Sequence, residues 1–410
     1  MKKILIILTI SLSLVLVACN QNNSTIDDEE PVIENNQYTE YAMEQLKQIN
    51  EHLRHDSNHL LFPDMLVHTS NIGVANLWDF SAYFTAVIRT YKINKTDEVK
   101  IYFDQAMSDL EWYRARNRDD DHLVYASKNG NETPAFYDDN VWLVIGLLDA
   151  YELTENNLYL DMAEKIQKWI YESWQTAFGG GLLWREFPPT EDPAVISRNT
   201  CINAPAAYAA ARFYQLTGSE SHLNWSKKIF KWTQEYLYDS SLHVYVDNIN
   251  QLGQVENMLF TYNTGVMISA AALLYDITKE DHYQEHALEI IEGGRVILSK
   301  PHLNPSVKGD FYKDNTWFNL YFYQGLLDAT RYLDDTEIAH TYMKNAMDSF
   351  DFSYPRFKDP YGLALEKWDA SQRHLTENPN YRAATLYASG NLESMGIFAE
   401  YVNENSALFE

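Results

Sequence analysis

The sequence predicts an all-α protein that folds as a closed (α/α)6 toroid of six inner and six outer helices. From about Tyr41 onward, apolar residues recur at the spacing of one helix face. The 410 residues include 16 Gly and 12 Pro, too few for the many tight turns of a β-rich chain. Apolar and amphipathic stretches also alternate along the chain, which is the pattern of a helical repeat.

The inner helices are predicted from stretches that are apolar on nearly all sides. Val141–Leu153 is such a stretch, and Lys165–Trp174 after it is amphipathic. We therefore expect the first to be buried and the second to be half exposed. A short motif recurs near the end of successive apolar stretches, about every 60 residues: Thr90–Asn94, Ala150–Thr154, Phe213–Thr217, Leu274–Thr278 and a looser copy near Leu333.

The two ends of the chain complete the predicted ring. Arg382–Val402 is the predicted sixth inner helix, and Tyr41–Leu53 is an additional amphipathic helix before the first unit. An open solenoid of helical hairpins is the alternative. Closure is favoured because the apolar helices lack a polar face and need cover on all sides. The loops that enter the inner helices are expected to emerge at one end and to form a cleft there.

The N-terminus has the features of an export signal. Residues 1–18 are predicted to be a secretory signal peptide, because two lysines precede an apolar run too short for a membrane span. Leu16–Cys19 resembles a bacterial lipobox, which predicts acylation of Cys19 and an extracytoplasmic protein anchored to the cell membrane. An ordinary signal peptide is the alternative. Residues 19–37 are predicted to be the acylated N-terminus and a flexible tether, and residues 38–410 a single catalytic domain.

The composition excludes several classes of protein. Acidic residues outnumber basic ones by 58 to 32, giving a formal charge of -26, which argues against a nucleic-acid partner. The two cysteines, Cys19 and Cys201, are too few for a disulfide-rich scaffold or a cysteine zinc cluster. Aromatic residues make up 14% of the chain, which suits stacking on sugar rings but equally suits core packing.

Two adjacent carboxylates, Asp138 and Asp139, stand at the entrance of the second inner helix. If both side chains face one cavity they cannot easily both ionise, so the pKa of one rises. An acid and a carboxylate present at the same pH are what glycosidic cleavage needs. On these two residues alone, capping of the helix by an aspartate is the simpler alternative.

Other polar residues are assigned to solvent or to packing. Asp119–Asp121 is predicted to be a solvated loop, and Asp334–Asp335 to cap the fifth outer helix. Cys201 is expected to be a packing thiol. Two sets of histidines have helical spacing without the zinc-protease pattern: His52, His55 and His59, and His282 and His286. No metal and no organic cofactor are therefore expected.

Four segments of the chain, taken in order, carry a resemblance to a known family. They are Tyr137–Trp142 continued by Gly146–Thr154, then Gly179–Trp184, Arg198–Ala204 and Phe260–Gly265. In this order they resemble glycoside hydrolase family 76, the α-1,6-mannanases, across most of the mature chain. Leu183 departs from the family, which often has a second tryptophan there, and Thr264 replaces the usual glutamine.

The resemblance implies an (α/α)6 fold and a retaining endo-α-1,6-mannosidase that acts on mannan-type polysaccharide. It maps the paired aspartates of the family onto Asp138 as nucleophile and Asp139 as general acid/base. It implies double displacement, which needs no cofactor or metal.

Four further residues of these segments are predicted to bind the glycan. Trp184 and Tyr262 are expected to stack on sugar faces, or else to be packing residues. Asn203 and Asn263 are expected to hydrogen-bond sugar hydroxyls. The protein is expected to be a monomer with a polysaccharide or oligosaccharide substrate. The alternatives are another (α/α)6 glycan enzyme, such as an epimerase or unsaturated glucuronyl hydrolase, and a transglycosylating or purely glycan-binding lipoprotein.

Overall fold

The protein is described from a computed structural model, which describes residues 36–54, 75–116, 119, 121–128, 135–307, 309–369 and 371–409. The predicted signal peptide, Cys19 and nearly all of the predicted tether lie outside these residues. Within them, twelve α-helices follow one another: α1 (Gln37–His52), α2 (Leu77–Ile93), α3 (Asp97–Leu110), α4 (Tyr137–Thr154), α5 (Asn157–Glu172), α6 (Thr200–Thr217), α7 (Glu220–Leu237), α8 (Thr261–Thr278), α9 (Asp281–Leu298), α10 (Thr316–Tyr332), α11 (Glu337–Ser353) and α12 (Thr385–Glu404). None of these described helices has the length and apolar character needed to cross a membrane.

The even-numbered helices form the inner ring. In α8 every residue from Thr261 to Tyr275 is buried, as predicted for a helix without a polar face. Each inner helix packs against the next, and α12 packs back against α2. The closest approach joins α8 and α10, where a Cβ on Gly325 would lie 2.6 Å from the carbonyl oxygen of Gly265. The ring is closed, which confirms the predicted toroid and excludes the open solenoid.

The odd-numbered helices surround this ring and bury one stripe each. α5 buries Ala163, Ile166 and Ile170 at helical spacing. The helices α3, α5, α7, α9 and α11 each pack on the inner helix that precedes them, whereas α1 packs on α12. The additional helix expected before the first unit is therefore the sixth outer helix. It begins at Gln37, inside the predicted tether, because the side chain of Asn36 accepts the N–H groups that start it.

Three of the inner helices each end in a threonine, and the hydrogen bonds of this threonine explain the motif that recurs about every 60 residues. The hydroxyl of Thr154 donates to the carbonyl of Ala150 (2.6 Å) and accepts from the N–H of Asn156 (3.3 Å). Thr217 and Thr278 make the same pair of bonds. In each case the following residue is left-handed: Glu155, Gly218 and Lys279. The motif is thus the sharp turn from an inner to an outer helix.

Short strands, which the sequence analysis did not predict, fill several loops between helices. They are β1 (Ser197–Asn199), β2 (Tyr238–Asp239), β3 (Val244–Asn250), β4 (Val255–Leu259), β5 (Ser299–Pro301) and β6 (Asp310–Tyr312). β3 pairs antiparallel with β1, β2 and β4, and β5 pairs with β6. β1 leads into α6 and β4 leads into α8, so this sheet stands at the N-terminal end of the inner ring.

Ion pairs fill the opposite end of the ring. Arg89 of α2 donates to Glu400 of α12, and Arg331 of α10 donates to the same carboxylate at 2.6 Å. Arg212 of α6 lies 3.0 Å from Asp149 of α4. These side chains lie near the C-terminal ends of their helices, so charged contacts close that end.

Candidate active site

A cavity of about 640 Å³ lies at the N-terminal ends of the inner helices. This volume is in the range of small-ligand pockets. Much of its wall is aromatic: Trp78, Phe136, Trp142, Trp184, Phe260, Tyr262, Trp317 and Phe318. Its polar groups include Asp138, Asp139 and Asp247. An apolar wall with a few carboxylates and one lysine, Lys128, suits a ligand that has both apolar faces and hydroxyl groups, as a sugar does.

Asp138 and Asp139 are the second and third residues of α4 and both line this cavity. Phe136, rather than an aspartate, occupies the N-cap position. Oδ1 of Asp138 accepts the N–H of Asp139 at 2.9 Å, a bond within the first turn. The two carboxylates therefore share one cavity, as predicted, and neither is the N-cap residue of the helix.

Neutral donors surround the carboxylate of Asp138. Nε1–H of Trp184 donates to Oδ2 at 2.6 Å, and the thiol of Cys201 lies 3.4 Å from the same oxygen. Burial raises the pKa of Asp138 to about 6, although the bonds from Trp184 and Cys201 lower it. Cys201, predicted to be a packing thiol, thus also contacts a carboxylate of the site.

Asp139 has the higher pKa of the pair. Burial raises its pKa well above the ordinary value, and the negative charges of Asp138 and Asp79 raise it further. Asp138 therefore ionises first, and its charge helps Asp139 to keep its proton. The cavity holds one carboxylate and one carboxylic acid over the same range of pH.

Trp184 lies on a loop that Asn203 fixes in place. The amide oxygen of Asn203 accepts the N–H of Leu182 (2.8 Å), and its NH₂ donates to the carbonyls of Leu182 (3.1 Å) and Asn199 (2.9 Å). Asn203 is fully buried and does not line the cavity. Because backbone groups occupy its amide, the structure gives Asn203 a positioning role, and the prediction that it binds a sugar hydroxyl stays a prediction.

The same arrangement recurs at other inner helices. Asn140, the fourth residue of α4, binds both backbone groups of Tyr125 at 2.8 and 2.9 Å. Asn319, the fourth residue of α10, donates to the carbonyls of Tyr312 and Asp314. Asn203 is likewise the fourth residue of α6. An asparagine at this position fixes the loop that enters the helix.

Tyr262 and Asn263 begin α8 and have different environments. Tyr262 lines the cavity and stacks on Phe318 at 4.5 Å between ring centroids, and its stacking on a sugar stays a prediction. Asn263 is buried and is not among the described residues that line the cavity. Burial raises the pKa of Asp247, while the hydrogen bond from Asn248 (2.8 Å) lowers it. The buried amide of Asn263 makes no hydrogen bond within the described residues, and its predicted bonding to sugar hydroxyls stays a prediction.

Sequence analysis missed Asp247, a third carboxylate of the cavity. It lies in β3 where the register with β4 shifts, so that Asn257 and Met258 together stand opposite it. Such a bulge changes the direction of nearby side chains. The run Val244–Asn250, with β-branched and aromatic residues, was the available signal for this strand.

The histidine sets do not form a metal site among the residues described. No described group of three or more His, Cys, Asp or Glu side chains is arranged to hold a metal ion. His286 is buried and bonds to the hydroxyl of Tyr245 at 2.8 Å. His55 and His59 lie outside the described residues.

Comparison with known proteins agrees with this geometry. The family model described as glycosyl hydrolase family 76 matches residues 26–353. A mannan endo-1,6-alpha-mannosidase of Candida glabrata is 27% identical over 214 residues, which is 48% of this chain and 45% of the relative. A meiotically up-regulated protein of Schizosaccharomyces pombe is 28% identical over 54% of each chain. The chain thus spans about half the length of these curated relatives.

Solved structures share the fold. A family 76 glycoside hydrolase from a bovine Bacteroides thetaiotaomicron strain has a TM-score of 0.77 at 20% identity, covering 90% of this chain and 79% of its own. An inactive variant of the α-1,6-mannanase of Salegentibacter sp., with two consecutive aspartates replaced by asparagine, was solved with α-1,6-mannotriose. It has a TM-score of 0.69 at 22% identity, covering 88% of this chain and 99% of its own. With the family model matching most of its length, the chain belongs to glycosyl hydrolase family 76.

Proposed function

We propose that the protein is a retaining endo-α-1,6-mannosidase that cleaves mannan-type polysaccharide with Asp138 and Asp139. The observation that carries this proposal is the pair of carboxyl groups at the start of α4, in one cavity and with unequal pKa values. The names of the relatives support the substrate class, since several are mannan endo-1,6-alpha-mannosidases. The solved variant that binds α-1,6-mannotriose lacks two consecutive aspartates, which supports a role for such a pair.

The first step uses the pair in its asymmetric state. Ionised Asp138 attacks the anomeric carbon, while protonated Asp139 transfers its proton to the leaving glycosidic oxygen. The C–O bond to the leaving sugar breaks and an ester bond to Asp138 forms. The hydrogen bond from Trp184 orients the nucleophile before the attack.

The second step returns both groups to their starting state. Asp139, now ionised, takes a proton from water as the water attacks the anomeric carbon, and the ester bond to Asp138 breaks to release its carboxylate. Two inversions at the same carbon give net retention. If a sugar hydroxyl takes the place of water, the same step is transglycosylation, so the acceptor decides between hydrolysis and transfer.

The aromatic wall serves binding. Trp184 and Tyr262 are placed to contact the apolar faces of a sugar, although Trp184 also uses its N–H on Asp138. Asp247 and Asn248, which also line the cavity, supply acceptors and a donor for hydroxyl groups.

Incubation with linear α-1,6-mannan tests the proposal. Wild type is expected to release oligosaccharides whose first-formed anomer, followed by NMR, is α. Asp138→Asn and Asp139→Asn are expected to lose release at least a thousandfold, whereas Asp161→Asn, an exposed carboxylate of α5, keeps it. With an activated aryl α-1,6-mannobioside, whose leaving group needs no proton, azide is expected to restore turnover to Asp139→Asn as an α-mannosyl azide. A first-formed β anomer contradicts retention, and full turnover by either active-site variant contradicts the assigned pair.

We also propose that Cys19 anchors the protein outside the cell. The basis is the lipobox-like segment Leu16–Cys19 and the apolar run before it. Expression in a bacterium with lipoprotein processing is expected to yield a membrane-bound form. The Cys19→Ser variant is expected to lack the lipid mass and to leave the membrane fraction, and an unlipidated wild type contradicts the anchor.

A further inference from the structure

The β3–β4 hairpin (residues 244–259) is the most exposed structured part of the cavity wall. Every residue from Gln251 to Met258 is exposed. Three large apolar side chains lie within this stretch: Leu252 (57% exposed), Val255 (42%) and Met258 (52%). Apolar side chains grouped on an exposed edge are typical of a binding surface.

The hairpin is continuous with the cavity. Asn248 lines the cavity and pairs on one side with Asn199, another lining residue, and on the other with Glu256 of β4. The register leaves Asn257 and Met258 opposite Asp247. β4 also runs directly into Phe260, which lines the cavity. β4 therefore adjoins the part of the cavity wall that Asn248 and Phe260 form.

The turn at the tip is rigid. Asn250 accepts the N–H groups of Leu252 and Gln254 at 3.0 Å, and its NH₂ donates to Oε1 of Gln254 at 2.8 Å. The same NH₂ donates to the carbonyl of Ala194 in the loop before β1. The exposed apolar side chains are thus attached to a backbone that these hydrogen bonds hold in one conformation. Little backbone conformational entropy is therefore lost when a ligand covers them.

The composition of the hairpin fits a neutral glycan. Charged residues make up 22% of the chain, yet residues 248–263 contain a single one, Glu256. Amide and apolar side chains dominate this stretch, and amides bond hydroxyl groups while apolar side chains cover sugar faces. The five residues of β4 extend for about 16 Å at ~3.3 Å per residue, which is longer than one sugar ring.

We propose that β4 and the tip of the hairpin form an outer binding track for the polysaccharide chain that extends from the cavity, with Val255, Asn257 and Met258 as its contacts. This inference rests on the proposed function, since the glycan enters through the same cavity. It predicts a preference for long chains over short oligosaccharides, which end before they reach β4.

The test compares a long and a short substrate. The double variant Val255→Ser/Met258→Ser of the full-length protein is assayed on linear α-1,6-mannan and on α-1,6-mannotriose. The ratio of kcat/KM for the polymer to that for the trisaccharide is expected to fall at least fivefold. The matched control is Val296→Ser/Leu303→Ser, which alters two side chains of similar exposure (56% and 65%) that do not line the cavity. Its ratio is expected to equal that of wild type.

The outcomes separate this inference from the proposed function. A double variant that cleaves both substrates with the wild-type ratio overturns the outer track and leaves the function intact. A wild-type protein that cleaves neither substrate overturns the proposed function and the track with it. If wild type is a dimer that dissociates in the double variant, and the ratio of the two kcat/KM values is unchanged, the hairpin serves self-association. This result also overturns the outer track.

Discussion

Replacing Asp138 by asparagine is expected to remove activity and, at neutral pH, to stabilise the folded protein. The change removes the proposed nucleophile, but it also removes a charge that is buried among neutral groups. In the folded protein the pKa of Asp138 is about 6, above its ordinary value of 3.8. A raised carboxyl pKa means that folding disfavours the ionised form. Wild type therefore loses stability as the pH rises from about 3.8 to about 6.

The size of the effect follows from these two values. Each pH unit corresponds to about 1.4 kcal/mol, so ionised Asp138 costs the wild type up to about 3 kcal/mol above pH 6. This is an upper limit, because the side chain lines a cavity open to solvent. The asparagine also loses one acceptor for the N–H groups of Trp184 and Asp139, which costs about 1 kcal/mol at any pH. The net expectation is a gain of up to about 2 kcal/mol at neutral pH and a loss of about 1 kcal/mol near pH 3.5.

Urea unfolding of wild type and Asp138→Asn at about pH 3.5 and pH 7.5 measures this difference. The Asp161→Asn variant, which alters an exposed ion pair with Lys165, controls for a general loss of charge and is expected to change little at either pH. The fixed cost of the altered hydrogen bond cancels when the two pH values are compared. An Asp138→Asn variant that differs from wild type by the same amount at both pH values would refute the raised pKa, and with it the electrostatic basis of the mechanism.

Three further predictions concern the same site. The value of kcat/KM is expected to rise with pH through about pH 6 as Asp138 ionises, and to fall at higher pH as Asp139 loses its proton. A profile without the rising limb contradicts this order of ionisation. Trp184→Phe removes a donor that lowers the pKa of Asp138, so the rising limb is expected to move to higher pH with a loss of about tenfold in kcat. Asn203→Ala leaves the buried backbone groups of Leu182 without their partner, so the free energy of unfolding measured in urea is expected to fall by about 2 kcal/mol. Unchanged stability together with weaker mannan binding would instead identify Asn203 as a sugar ligand.

The ring of helices was predictable because its signals are local and repeated. Apolar helices such as α8 have no polar face, and the threonines at 154, 217 and 278 end their helices with the same pair of hydrogen bonds. The strands were not predicted, because β1 is only three residues long and its pairing with β3 joins segments about 50 residues apart. The start of α1 was placed too late, because Asn36 caps a helix whose first turn is polar.

The site was predictable only in part, because side-chain identity does not fix side-chain direction. Asp138 and Asp139 stand out as adjacent acids before an apolar helix, and the structure brings both to the cavity. Asn203 has the same chemistry as a sugar ligand, yet its amide faces the backbone of the Trp184 loop. Asp247 shows the converse, since a single acid in a short strand does not indicate a site in the sequence, yet the structure places it in the cavity wall.

Glu400 and Asp138 are buried carboxylates at opposite ends of the ring with different hydrogen-bond donors, and this difference fits the chemistry proposed for Asp138. Glu400 accepts from the cations Arg89 and Arg331, so it can remain ionised without a role in proton transfer. Asp138 instead accepts from an indole N–H, a thiol and a backbone N–H, which orient the carboxylate but bring no positive charge. A cation in their place would lower the pKa values of both aspartates and release the proton that Asp139 has to donate. Neutral donors therefore fix the geometry of the pair and leave the proton on Asp139. The same burial that lowers the stability of the folded protein, by disfavouring the charge of Asp138, keeps Asp139 protonated as the proposed acid.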